Sequence, residues 1–155
     1  MAAASSAIDF LASQGIPFRL FHHPAVPTSL EQAALERGQT PDQVVRSILF
    51  RSKEKYYLVL VAGTGQISWQ KLRKYLGESR LSMATSDQVL STTGYRIGMV
   101  SPFGLKQPVR VLVDKKVLES HDEVSLGSGL PGVAILMHVN DLHRALGNVE
   151  IGQFC

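Results

Sequence analysis

Two apolar runs, VVRSILFR over 44–51 and YYLVLVA over 56–62, are separated only by the polar SKEK. That arrangement predicts a β-hairpin. The neighbouring segments must then fit around it. Strand-like stretches recur at PFRLFH, YRIGMV, VRVLVD, EVSLG and VAILM. Helix signals fall between them. Ile8, Leu11 and Ala12 at helical spacing predict a helix over 5–14 that stops at Gly15. Thr28 with Glu31 has capping-box spacing and opens a helix ending at Gly38. Thr40-Pro41 with Gln43 starts a short helical turn. Ser68 caps a helix ending at Gly77, Thr85 with Gln88 caps another ending at Gly94, and Asn140 caps a last one reaching Leu146. Strands outnumber helices and do not alternate with them strictly. The expectation is therefore α+β, with a mixed or antiparallel sheet and flanking helices.

At 155 residues and 16.9 kDa the chain is expected to form a single domain over 1–155. Apolar residues at 45% and charged residues at 19% suit a globular protein rather than a disordered one. No apolar run approaches the ~20 residues that span a bilayer. The start, MAAASSAIDF, has neither the basic beginning nor the apolar stretch of a signal peptide, so a cytoplasmic location is expected. The single cysteine, Cys155, excludes an internal disulfide framework and any CxxC metal site. A net charge of +3 favours a polyanionic partner only weakly, because clustering matters as well as total charge. Basic residues do gather in RSILFRSKEK (46–55) and KLRK (71–74), where solvated faces are the alternative reading.

The usual catalytic constellations are missing. His22 and His23 are adjacent, which on a strand sends them to opposite faces, and no HExxH spacing occurs, so no metal is expected. There is no GxSxG elbow, no phosphate loop and no GxGxxG, and nothing near Cys155 would activate its thiol. Two features are left. Within STTGYRIGMVSPFG (91–104), glycines can adopt positive φ and let bare N–H groups face a ligand, or they can simply turn the chain. Ser101, before Pro102, can equally bond its local backbone. Arg46 interrupts an apolar strand beside Ser47, either snorkelling from a sheet edge or serving an anionic ligand.

Taken in order, the TSLEQAA helix after HHP, TPDQVVRSILF, LVLVAGTGQISWQKLRKYLG and STTGYRIGMVSPFG followed by VRVLVD resemble the YbaK-type family. That family is related to the editing domain of bacterial prolyl-tRNA synthetases. The resemblance runs from about residue 15 to the NDLHRALGNVEI tail, and GYRIGMVSPFG is similar to the family's G-(x)n-G-x-x-S-P-x-G signature. It implies an α+β fold around a mixed, barrel-like sheet. It also implies an aminoacyl-tRNA deacylase that works in trans on mischarged tRNA, often tRNA(Pro) bearing a small wrong amino acid, without metal or cofactor. The acceptor end of the tRNA and prolyl-tRNA synthetase are the implied partners, and a non-catalytic tRNA- or synthetase-binding module is the alternative.

By the same resemblance Arg46, Gly98 and Ser101 are the catalytic positions. Substrate contacts fall to Phe21, His23, Thr28, Ser47, Pro102, Gly104 and the 127–129 turn with Ser128 and Gly129. Many members carry lysine where this chain has Arg46, which keeps the charge and can grip a phosphate bidentately. Some members carry a polar residue such as aspartate in the strand before the last helix. Here that strand reads VAILM, which implies a more apolar pocket.

Overall fold

Local signals fix most element ends. The structure, a computed structural model, describes residues 4–155. The Ser5 hydroxyl accepts the Ile8 N–H and starts helix α1 (Ser6–Ser13), which buries Ala7, Ile8 and Leu11. Strand β1 (Arg19–His22) follows, then α2 (Leu30–Glu36). The cap of α2 is Ser29, not Thr28: the Ser29 side chain accepts the Gln32 N–H, while Thr28 binds the Gln32 carboxamide oxygen from outside the helix. A 3₁₀ turn at Pro41–Gln43 is closed by Gln43 Oε1, which accepts the Thr40 N–H.

The hairpin forms as its two apolar runs dictate. Strands β2 (Val45–Ser52) and β3 (Lys55–Ala62) pair antiparallel, from Val45 opposite Ala62 to Ser52 opposite Lys55. Helix α3 (Trp69–Leu76), strand β4 (Ser82–Met83) and helix α4 (Ser86–Thr93) come next. Both helices end on a left-handed glycine, Gly77 at φ +69° and Gly94 at φ +84°. Then follow β5 (Arg110–Asp114), α5 (Lys115–Glu119), β6 (Glu123–Gly127), β7 (Val133–His138), α6 (Val139–Leu146) and β8 (Glu150–Gly152).

Two sheets result. The larger has the order β4-β2-β3-β5-β8, with β3, β5 and β8 mutually parallel and β2 antiparallel to β3 and β4. The smaller is the antiparallel set β1-β7-β6. A single parallel bridge, Val44 to Ser125, joins them. The α+β class holds, but the sheets remain open and do not close into a barrel.

The larger sheet is covered on both faces, which explains why its strands read as continuous apolar runs instead of alternating ones. Leu58 and Leu60 of β3 face the main core between the sheets, with Leu126, Ile135 and Leu142. Val59 and Val61 face a second cluster containing Phe50, Leu72 and Phe154. Two further expectations differ from the structure, and one helix was not foreseen. YRIGMV is turn and loop, because Gly94 ends a helix and Gly98 at φ +92° bends the chain again before a ladder can form. Helix α6 is capped by the His138 ring, whose Nδ1 accepts the Asn140 N–H, so Asn140 lies inside it. Asp114 caps α5, a helix too short to carry a periodic pattern.

Several carboxylates hold the elements together. Glu150 receives Arg110 through Nε at 2.6 Å and Nη2 at 2.7 Å, and this holds its carboxyl below the ordinary 4.5. Glu78 is lowered mainly by the Ser52 hydroxyl and Glu36 mainly by His23. A depressed folded pKa adds stability that is complete above the unfolded value and is lost as pH falls through the folded one. Thermal melts should therefore show a midpoint that is level between pH 6 and 7 and falls steadily from about pH 4.5 to pH 3. A flat profile there would exclude these contacts as net stabilisers.

Candidate functional site

Strand β2 runs out of partners along part of its length. Outside β3 it pairs with β4 only at Phe50 and Arg51, and the bridge to Ser125 is at Val44. The Leu49 carbonyl accepts the Ala84 N–H at 2.9 Å, and from Val45 to Ile48 no strand ladder pairs the outer edge. A cavity of about 500 Å³ occupies the gap, within the usual size for a small-ligand site. Val45, Ser47, Ala33, Leu126 and Val133 give it an apolar inner wall with a few polar groups. Exposed Val26 and Ile97, at 62% and 60%, lie at its lining too.

Main chain forms much of one side. Gly98, Met99 and Val100 line the cavity, and the N–H groups of Gly98 and Val100 have no hydrogen-bond partner among the described residues. Gly127 lets this segment pack against β6: a Cβ at 127 would sit 2.4 Å from the Val100 carbonyl oxygen. The segment is further held where the Gly129 N–H donates to the Met99 carbonyl at 2.9 Å. Two bare peptide donors on a braced loop can hold a carbonyl oxygen or an oxyanion.

The residues expected at the site divide into two groups. His23, Thr28, Arg46, Ser47 and Gly98 line the cavity. Phe21, Ser101, Pro102, Gly104, Ser128 and Gly129 do not. Ser101 is fully buried, and its hydroxyl accepts the Phe103 N–H, a turn-closing role. Gly104 packs against helix α1, since a Cβ there would lie 2.4 Å from the Ser6 carbonyl oxygen. Ser128 donates to the Val133 carbonyl at 2.6 Å, and a Cβ on Gly129 would meet the Tyr95 ring at 2.5 Å. The SPFG and GSG turns thus shape the wall from behind, and Gly127 with 130–133 supplies the surface. Phe21 instead packs edge-on against His23, with ring centroids 4.8 Å apart.

Arg46 takes an unexpected direction. Alternation along β2 puts Val45, Ser47 and Leu49 on the main-core side and Arg46 on the side of Phe50. Its Nε donates to the Gly63 carbonyl at 2.6 Å and its Nη2 to the Gly65 carbonyl, stitching down the loop after β3. Another arginine, Arg37 at the C-cap of α2, also lines the cavity. Its Nε donates to His23 Nε2 at 3.0 Å and its Nη1 to Ser125 Oγ at 2.8 Å. An arginine Nε only donates, so His23 Nε2 accepts; the His23 proton is then on Nδ1, which donates to Glu36 at 2.6 Å. Nothing in the sequence marked Arg37, because a cation at a helix end reads as an ordinary solvated charge.

Ser47 is the other notable group. Its hydroxyl oxygen is buried and has no hydrogen-bond partner, alone in this among the described side chains. Among those residues no group of His, Cys, Asp and Glu is arranged to hold a metal ion. Burial pushes the Cys155 thiol up, with the Asp114 charge adding to the shift, so it stays protonated near neutral pH.

An open β edge, a braced glycine-bearing loop and a lining that includes two arginines make this an α+β protein with a pocket between its sheets. Comparison with known proteins is more specific: the aminoacyl-tRNA editing domain family matches residues 23–145, and the chain belongs to that family. It is similar to proline–tRNA ligases of Thermosipho melanesiensis, at 34% identity over 98 residues, and Kosmotoga olearia, at 35% over 95. These matches cover 63% and 61% of this chain but only 17% and 16% of the ligases. A crystal structure of a candidate trans-editing enzyme for prolyl tRNA synthetase superposes with a TM-score of 0.87 at 26% identity, covering 99% of this chain and 98% of that one.

An unsatisfied buried hydroxyl carries a desolvation cost of about 1–3 kcal/mol. Ser47→Ala should therefore raise stability by about 1 kcal/mol in urea denaturation. A loss of stability would mean that Ser47 already has a partner.

Proposed function

We propose that this chain is a trans-acting deacylase that hydrolyses the ester of mischarged aminoacyl-tRNA, with tRNA(Pro) bearing a small non-cognate amino acid as its preferred substrate. The observation that carries the reading is the cavity between the sheets of an editing-domain chain, lined by Gly98 and Val100, whose N–H groups have no hydrogen-bond partner among the described residues. Its volume of about 500 Å³ suits an amino acid with part of the terminal adenosine.

In this reading a water molecule attacks the ester carbon. The carbonyl electron pair moves onto oxygen, where the peptide donors stabilise it. Collapse of the tetrahedral species breaks the bond to the ribose oxygen, which takes up the proton lost by water. The products are a free amino acid and tRNA with its terminal hydroxyl restored. No protein nucleophile is needed, in keeping with the turn-closing role of Ser101. Selection rests on size: the walls at Ala33, Leu126 and Val133 limit the side chain. A separate hydrolytic sieve is useful because one methylene is worth only ~1–3 kcal/mol in an apolar pocket. Arg46 acts at one remove by fixing the Gly63–Gly65 loop at the end of β3.

Deacylation assays on Ala-, Ser-, Cys-, Thr-, aminobutyryl- and Pro-tRNA(Pro) test the proposal. Release of at least one non-cognate amino acid, with Pro-tRNA(Pro) spared, is the expected outcome. Arg46→Ala should lower turnover by about tenfold or more by freeing that loop, as small misplacements in a site can do. Salt-sensitive tRNA binding without hydrolysis of any substrate would instead identify a binding module.

A further inference from the structure

Of the two arginines that line the cavity, only one has a head group directed away from the loop after β3. We propose that Arg37, rather than Arg46, is the cation that meets the acyl end of the substrate, its Nη2 donating to the ester carbonyl oxygen and to the oxyanion that replaces it. The inference rests on the deacylase reading and assigns a substrate-binding residue within it.

Both guanidinium groups already have protein partners. Arg46 gives Nε and Nη2 to the carbonyls of Gly63 and Gly65. Arg37 gives Nε to His23 and Nη1 to Ser125, and its Nη2 has no partner among the described residues. A guanidinium with two corners fixed and the third free is oriented before any ligand arrives, so less side-chain entropy is lost on binding.

A relay of buried groups sets that orientation. The His23 side chain is 1% exposed and accepts from Arg37 while donating to Glu36. Ser125, fully buried, accepts from Arg37 and donates to Gln39 Oε1 at 2.7 Å; Gln39 in turn donates to Glu123 at 3.0 Å. Each donor in this chain has an acceptor, and the only loose end is Arg37 Nη2. Buried networks of this kind hold a single geometry, because any rotation leaves a polar group unpaired.

Position decides which part of a substrate this corner can take. The two partners that clamp Arg37 are almost wholly buried, and Val44, Ala33 and Leu126 beside it are buried apolar wall. A phosphodiester is bulky and heavily hydrated, and the exposed Val26 and Ile97 mark the solvent side where it would stay. The amino acid is the part small enough to reach inward. A guanidinium repels its ammonium group and binds its oxygen.

Calorimetric binding of two unreactive probes separates this role from a structural one. The first is 3′-deoxy-3′-(L-alanylamido)adenosine 5′-monophosphate, which keeps the acyl oxygen. The second is the 3′-O-(2-aminopropyl) ether of the same nucleotide, which lacks it. The unsubstituted protein should prefer the amide by about tenfold or more, the scale of a charge-assisted hydrogen bond. Arg37→Gln should erase that preference by weakening the amide alone, and Arg37→Lys should retain part of it. Equal weakening of both probes by Arg37→Gln, or no preference in the unsubstituted protein, would overturn the assignment. If Arg37→Gln erases the preference but no mischarged tRNA is hydrolysed, the deacylase reading fails and Arg37 keeps only its contact with the acyl oxygen, not the one with an oxyanion. If tRNA is hydrolysed and Arg37→Gln leaves the amide preference intact, the assignment fails alone.

Discussion

Everything at the site depends on the sheets touching at one point and then parting. The Val44–Ser125 bridge is a minimal contact, and beyond it β2 keeps an unpaired edge until β4 reaches Phe50. An unpaired edge in the interior is costly unless something covers it. Here the cover is incomplete: a loop of small residues approaches from one side and helix α2 from another, with a cavity between them. A closed barrel would have removed the edge and the cavity together.

The polar relay is the second half of that design. Ser125 carries the bridge to Val44 and also the hydroxyl that anchors Arg37 and Gln39. One residue therefore couples the spacing of the sheets to the aim of a cation in the gap. On the opposite side of β2, Arg46 fastens the loop after β3. The two arginines have different partners, Arg37 binding His23 and Ser125 and Arg46 the carbonyls of Gly63 and Gly65, and neither is a simple surface charge.

Much of the framework was readable along the chain. Helix starts at Ser5, Ser68 and Thr85 and stops at Gly77 and Gly94 came from local chemistry, because a cap is made within a few residues of itself. The hairpin was readable for a related reason, since its turn lies between its own strands. Of the site, His23, Thr28, Arg46, Ser47 and Gly98 fell on the cavity, with Arg46 turned to the other face. The SPFG turn, Ser128 and Gly129 lie outside the cavity lining, and Gly104 and Gly129 pack closely against Ser6 and Tyr95, far away in sequence.

Residue order alone settled the α+β class, the β2–β3 hairpin and several helix ends, since each follows from neighbours that interact within a turn or a hairpin. Folding in three dimensions settled what each arginine binds, which hydroxyl lacks a partner and which glycine lets two segments touch. These are relations between positions as distant as Arg37 and Ser125, or Val100 and Gly127, and no local pattern encodes them. Packing chose them because burying the sheets leaves one gap, and the polar groups around it must either pair with each other or wait for a ligand.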